Sequence, residues 1–220
     1  MCEQNNSQRL SFEKYDVIYN AYNDNIFKLG NDKRRKDILF VGRLNKDKGA
    51  YLLIEAFNDF KQNNSNECQL NMIGDSSERN QIENFARNTK YYSDIHFLGL
   101  KSSGEIANIL NRHHILAVTS THPYYEAFGI VVLEGLACGC IVIGADGDGI
   151  EEALHSAGIL YKNGDKDELY NALIKAYYMT DEEYSEKRKI AENWLRKRTL
   201  SQVALRYIEV FERSLNIGYR

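Results

Sequence analysis

The chain of 220 residues is long enough for one large domain or two small ones. Its 43% hydrophobic and 27% charged residues are ordinary for a soluble globular protein, which excludes intrinsic disorder, collagen-like repeats and a disulfide miniprotein. A net charge of −3 provides no general attraction for nucleic acid, and no apolar run approaches the length of a membrane span. Residues 1–9 are polar and carry no apolar signal core. The four cysteines, Cys2, Cys68, Cys138 and Cys140, are too few and too irregular for a disulfide framework and read as reduced thiols of a cytoplasmic protein.

In chain order, the polar start gives way to a short apolar patch at residues 16–22. The basic run Lys33-Arg34-Arg35-Lys36 follows and is read as a solvated loop rather than a phosphate patch. Regular patterning starts at Asp37. Ile38-Leu39-Phe40-Val41 is a continuous apolar run closed by Gly42, the pattern of a buried strand. Leu52, Leu53, Ile54, Ala56, Phe57 and Phe60 recur at helical spacing. Leu70, Met72 and Ile73 form a second strand before Gly74, and a polar helix is expected over Glu78–Lys90. Ile95-His96-Phe97-Leu98 ends at Gly99, with a helix over Ser103–Asn111, and Ile115-Leu116-Ala117-Val118 is the next strand. Gly129–Cys138 reads as a helix, Ile141-Val142-Ile143 as a strand, and Ile159-Leu160-Tyr161 as a short last strand. From Asp167 to Ile217 the chain is helical, broken near Thr180, which opens a capping box with Glu183, and near Thr199. Strands alternating with helices predict an α/β fold, a doubly wound, Rossmann-like parallel sheet of about six strands. Ligands in such sheets bind beyond the carboxyl ends of the strands, so the residues after Val41, Ile73, Leu98, Val118 and Ile143 carry the candidate chemistry.

After the first strand comes Gly42-Arg43-Leu-Asn-Lys-Asp-Lys48-Gly49, a glycine-bounded turn with cations before a helix. That pattern suits an anion, because Arg grips a phosphate through two donors and Lys adds a point charge. On the residues alone, a solvated loop with surface cations stands level with it. Neither a Walker-type phosphate loop nor a Gly-x-Gly-x-x-Gly dinucleotide fingerprint is present. After the fourth strand of the central run comes Thr119-Ser-Thr-His122-Pro-Tyr-Tyr-Glu126-Ala-Phe128-Gly129, leading into a helix that contains Glu134. Free amides at Phe128, Gly129 and Ile130 can face an anion or a sugar hydroxyl. A carboxylate inside Ile-Val-Val-Leu-Glu-Gly-Leu-Ala is costly without a partner; a salt bridge is the plain structural reading of Glu134, and a helix cap that of Glu126. His122 reads as a loop residue, and His113 and His114 as structural. Asp146-Gly-Asp148-Gly149 is read as a glycine-rich turn rather than a pair of metal ligands. Cys138-Gly-Cys140 has no partner pair at metal spacing and reads as core thiols.

These motifs, in this order, resemble the C-terminal, donor-binding domain of GT-B fold glycosyltransferases, specifically the large retaining family that includes sucrose and mannosyl transferases (family four). Residues 17–27 resemble the family's interdomain connection, 40–49 its phosphate loop, and Met72-Ile-Gly-Asp and Ile95-His-Phe-Leu-Gly its next two strand ends. Glu126-Ala-Phe-Gly-Ile-Val-Val-Leu-Glu134 is the most diagnostic segment. The resemblance implies a donor site for a nucleoside-diphosphate sugar that requires no metal or other cofactor. In it Gly42, Arg43 and Lys48 hold the diphosphate and Glu134 accepts hydrogen bonds from the ribose. Glu126, the implied catalytic residue, sits at the donor sugar. The amides of Phe128, Gly129 and Ile130 touch sugar and phosphate, and Leu100 and Lys101 meet the base through main-chain groups.

Three departures stand out: Asn20-Ala21 for the usual Asn-Gly, Cys140 for a usual proline, and Asp146-Gly-Asp148-Gly for the usual pair of glycines. The expected organisation is a linker-like segment at 1–36, a nucleotide-sugar-binding domain at 37–199 and a closing helix at 200–220. A complete member of the family has an N-terminal acceptor domain, for which there is no room before residue 37, so the chain is expected to be a fragment of a longer enzyme rather than half of a split one, and inactive alone. The full enzyme is expected to pass the sugar to a glycan or lipid-linked acceptor with retention. A cytoplasmic site is expected, with peripheral association at the inner membrane face left open. The rival is a non-catalytic module of the same fold that binds a nucleotide sugar or docks on a partner; loss of Arg43, Lys48 or Glu134 would favour it, and all three are present.

Overall fold

Six apolar runs form six parallel strands in the computed structural model, which describes residues 16–64, 67–121 and 128–217. They are β1 (Arg35–Val41), β2 (Leu70–Ile73), β3 (Ile95–Gly99), β4 (His113–Val118), β5 (Ile141–Ala145) and β6 (Ile159–Tyr161). The sheet order is β3-β2-β1-β4-β5-β6, the doubly wound arrangement, with the chain reversing direction across the sheet between β1 and β4. Ile38 pairs with Leu70 on one side and Ile115 on the other, so β1 lies in the middle of the sheet.

The helices are α1 (Ala50–Asn64), α2 (Arg79–Arg87), α3 (Ser103–Arg112), α4 (Ile130–Ala137), α5 (Asp148–Leu154), α6 (Lys166–Tyr177), α7 (Asp181–Leu195) and α8 (Leu200–Ile217). Successive strand residues face opposite sides, which sorts the core into two layers. Ile38, Phe40, Met72 and Ile115 pack with Leu53, Phe57, Phe60 and Leu173 under α1 and α6. Leu39, Leu116 and Val142 pack with Leu110, Leu133, Leu136 and Leu154 under α3, α4 and α5. Burial on both faces is why the strands read as unbroken apolar runs. The breaks expected near Thr180 and Thr199 fall where α6 gives way to α7 and α7 to α8. Thr180 and Glu183 form the capping box, with Thr180 N donating to Glu183 Oε2 at 2.9 Å.

Two sequence readings need correction. The basic run before β1 is not a solvated loop throughout: Arg35 and Lys36 open β1, and Arg34 is an internal staple. Its guanidinium donates to His113 O at 2.8 Å, to Leu110 O at 3.3 Å and to Cys138 O. It thereby ties the C-cap carbonyl of α4 to the junction between α3 and β4. The Asp146–Gly149 segment is only partly a turn. Gly147 takes φ 83°, but Asp148 already begins α5, where Ile150, Ala153 and Leu154 bury at i, i+3, i+4. Asp146 accepts from Asn163 N at 2.7 Å and so tethers the β6 end.

His113 and the three described cysteines are structural, as expected; Cys2 lies outside the described residues. His113 is buried, with Nε2 3.1 Å from Asn71 Nδ2 and Nδ1 2.8 Å from Ile109 O. Cys68, Cys138 and Cys140 are buried, reduced thiols, and desolvation pushes Cys138 up to about 12. No described helix is long and apolar enough to cross a membrane.

The last helix is the exception to this packing. Val203 is buried, but Leu200, Tyr207, Ile208, Phe211 and Leu215 are all exposed on α8. Its polar side is tied to the start of the described chain: Arg206 and Arg213 reach the Asp16 carboxylate at 2.6 and 3.0 Å.

Candidate functional site

The chain leaves β1 at Val41 and crosses to α1 through residues 42–49. Asn45 caps a 3-10 turn at Lys46–Lys48, its Oδ1 accepting from Lys48 N at 3.1 Å. The turn ends at Gly49 with φ 69°, where a Cβ would stand 1.8 Å from Thr119 O. Only glycine lets the loop lie so close to the chain leaving β4. Thr119 Oγ1 donates to Lys48 O at 2.9 Å and to Gly49 O at 3.3 Å; Thr121 N donates to Asp47 O at 2.9 Å and Thr121 Oγ1 to Lys46 O at 3.2 Å. Gly74 plays the same part on the other side. It has φ 137°, and a Cβ there would meet Gly42 O at 1.8 Å.

Between β1 and β4 lies a cavity of about 320 Å³ lined by residues from both sides of the reversal. Gly42 and Lys48 line it from the β1 loop, Val118, Thr119 and Ser120 from the end of β4, and Phe128, Gly129, Ile130 and Glu134 from the start of α4. Among the described residues no side chain caps the first amides of α4, and no acidic residue occupies its first turn. They therefore keep their donor capacity and the positive end of the helix dipole for a ligand.

Glu134 lies one turn into α4, half-buried on the cavity wall. The salt bridge that would account for it structurally is absent: no ion pair or side-chain hydrogen bond to Glu134 occurs among the described residues. Desolvation alone lifts its carboxyl from an ordinary 4.5 to about 7. A carboxylate left uncompensated in an otherwise apolar helix, beside a cavity, is a common mark of a binding site.

Six of the sequence-derived site residues thus converge: Gly42, Lys48, Phe128, Gly129, Ile130 and Glu134. Arg43 is exposed and does not line the cavity, and its guanidinium has no partner among the described residues. Leu100 is exposed and Lys101 half-buried after the Gly99 turn, and neither lines the cavity. Glu126 and His122 lie outside the described residues. Thr119 and Ser120 are buried wall residues that the sequence motifs do not single out; the signal available is a polar pair directly after an apolar strand. Among the described residues no group of three or more His, Cys, Asp or Glu could hold a metal ion.

The fold and the cleft define the chain as a doubly wound α/β domain with an anion-ready site at its topological switch point. The sequence profile of the family "Glycosyl transferases group 1" matches residues 22–194, and the chain belongs to that family. It is 32% identical over 161 residues to an uncharacterized glycosyltransferase of Methanocaldococcus jannaschii, covering 72% of this chain and 42% of that protein. It is 26% identical over 178 residues to the gpi3 subunit of phosphatidylinositol N-acetylglucosaminyltransferase of Schizosaccharomyces pombe, covering 78% of this chain and 38% of that protein. Among solved structures, Anabaena HepE in complex with UDP superposes with a TM-score of 0.79 at 20% identity, over 90% of this chain and 57% of that one. The fold is thus that of one half of a GT-B glycosyltransferase. The chain spans less than half the length of these two curated relatives.

Proposed function

We propose that the chain is the donor-binding half of a retaining glycosyltransferase and that the cleft between β1 and β4 takes a nucleoside-diphosphate sugar. The observation that carries this reading is Glu134, without an ion-pair partner among the described residues, lining the same cavity as the start of α4 and as Lys48 of the opposite loop. A ribose hydroxyl can donate to the carboxylate, while the diphosphate takes the helix amides and the cations. HepE has been solved with UDP-glucose, and a nucleotide-sugar donor here fits the shared fold.

In the transfer, the bond between the anomeric carbon and the diphosphate oxygen breaks. Its electron pair stays on the diphosphate as the sugar becomes oxocarbenium-like. Lys48, Arg43 and the α4 amides oppose the charge that develops on the leaving oxygens, the counter-charge a metal supplies in other transferases. Glu126 is assigned to the donor sugar, and a glycan or lipid-linked acceptor to a further domain. The test is calorimetric titration of the chain with UDP, GDP and ADP, with and without chelator. Binding of at least one nucleotide is expected, undiminished by chelator, with no sugar transfer by the chain alone. Failure of all three to bind refutes the donor-site reading, loss with chelator refutes metal independence, and turnover refutes the assignment of the acceptor site to a further domain.

A further inference from the structure

The cavity has two walls that belong to different parts of the chain. Lys48 is carried by the loop after β1, and the α4 amides by the segment after β4. For both to act on one diphosphate, the two loops must be held at a fixed separation to within a fraction of an ångström. β1 and β4 pair only as far as Phe40 and Ala117, so the sheet ladder ends before either loop begins.

What joins the loops beyond the ladder is concentrated at Thr119. This residue is 1% exposed, and its single hydroxyl is shared between the carbonyls of Lys48 and Gly49. Its own carbonyl lies where a Cβ of residue 49 would be, so the two backbones are in direct contact. Thr121 extends the same seam through Asp47 O and Lys46 O. The one proton of the Thr119 hydroxyl is therefore committed to the opposite loop.

We propose that Thr119 is a positioning residue for the donor site. By clamping the Lys48–Gly49 peptide it sets where the Lys48 side chain leaves the backbone, opposite the start of α4. This rests on the donor-site reading above and adds the element that couples its two walls. Because the clamp acts through Lys48, its effect must vanish when the lysine side chain is gone.

The test compares the wild type, Thr119→Val, Thr119→Ser, Lys48→Ala and the Thr119→Val/Lys48→Ala double variant, with inorganic pyrophosphate and UDP, GDP and ADP as probes. Valine keeps the shape and deletes the donor; serine keeps the donor. Thr119→Val is expected to weaken pyrophosphate and nucleoside diphosphate tenfold or more. Thr119→Ser should stay within threefold of the wild type. In the Lys48→Ala background the valine should add less than twofold. A clamp that merely held the fold together would show its full loss in that background too, and that result overturns the proposal, as does wild-type affinity in Thr119→Val. Should Thr119→Val not fold, Thr121→Val carries the same test from the partly exposed end of the seam, with a two- to threefold loss that Lys48→Ala abolishes; an unchanged affinity, or a loss that persists in that background, overturns it. Failure of the wild type to bind any probe refutes the donor-site reading itself, and the clamp falls with it.

Discussion

Replacing Glu134 by glutamine should stabilise the empty protein above neutral pH. In the unfolded chain the carboxyl gives up its proton near the ordinary 4.5; in the folded chain, desolvated on the wall of the cleft, only near 7. Between those values the native state binds more protons than the unfolded one, so stability falls as pH rises through that window and levels off above it. A shift from 4.5 to about 7 corresponds to about 3.4 kcal/mol if all of it were expressed. The side chain keeps partial access to solvent, which cuts the expected effect to roughly 1–2 kcal/mol. Glutamine keeps the shape and cannot ionise. Urea unfolding at pH 4, 5, 6, 7 and 8 should therefore show wild type and Glu134→Gln closest at pH 4, with the gap opening through pH 5–7 and the variant ahead by that margin at pH 8. Nucleotide affinity should fall in the same variant, because the ribose loses its charged acceptor. A variant less stable than wild type at pH 8, or one with the same pH slope, would refute the claim that this carboxylate is held without compensation.

Three further outcomes are expected. Lys48→Ala and Arg43→Ala should each weaken nucleoside-diphosphate binding by about 1.5–3 kcal/mol, the range for hydrogen bonds to charged groups; unchanged calorimetric affinity in both would remove the phosphate assignment of the β1 loop. Gly49→Ala should lower the unfolding free energy by more than about 2 kcal/mol, because a Cβ at φ 69° meets Thr119 O; a denaturation midpoint equal to wild type would show that the two loops can part cheaply. Arg34→Met should cost about 1–3 kcal/mol by removing the guanidinium donor from the Cys138 carbonyl and leaving the His113 carbonyl with only the weak Cys140 thiol contact at 3.5 Å, and a midpoint unchanged in the same assay would count against the staple.

The legible parts of the fold are those in which short-range pattern and long-range packing agree. The run Ile38–Val41 has the pattern of a buried strand and nothing else, and the Thr180/Glu183 pair announces its helix. Arg34 is masked by its neighbours Lys33, Arg35 and Lys36, which look like a surface charge run. Its partners are carbonyls 76 to 104 residues away, which no local pattern carries. α5 is hidden by Gly147 and Gly149, which announce a turn although the second of them is helical. Within the site, Lys48 and Glu134 are legible as charges in a phosphate loop and an apolar helix. Thr119 is not, since a threonine after a strand is commonplace until the opposite loop is in place. Lack of a partner for Glu134 is likewise invisible in a sequence, where any of 28 lysines and arginines could supply one.

The open face of α8 bears on how the molecule breathes. Helices laid against the sheet can lose their backbone hydrogen bonds only when the core opens, so their amides should exchange with solvent only at the slow, global rate. α8 has Val203 as its buried anchor and the Asp16 pairs at its polar side, whereas most of the stability of a helix in a protein comes from packing its apolar face. Its amides from Tyr207 onward should accordingly take up deuterium within seconds to minutes, while those of α1 and α4 stay protected. Exchange would run as a gradient that steepens at Val203, with the last three turns of the helix unzipping independently of everything before them.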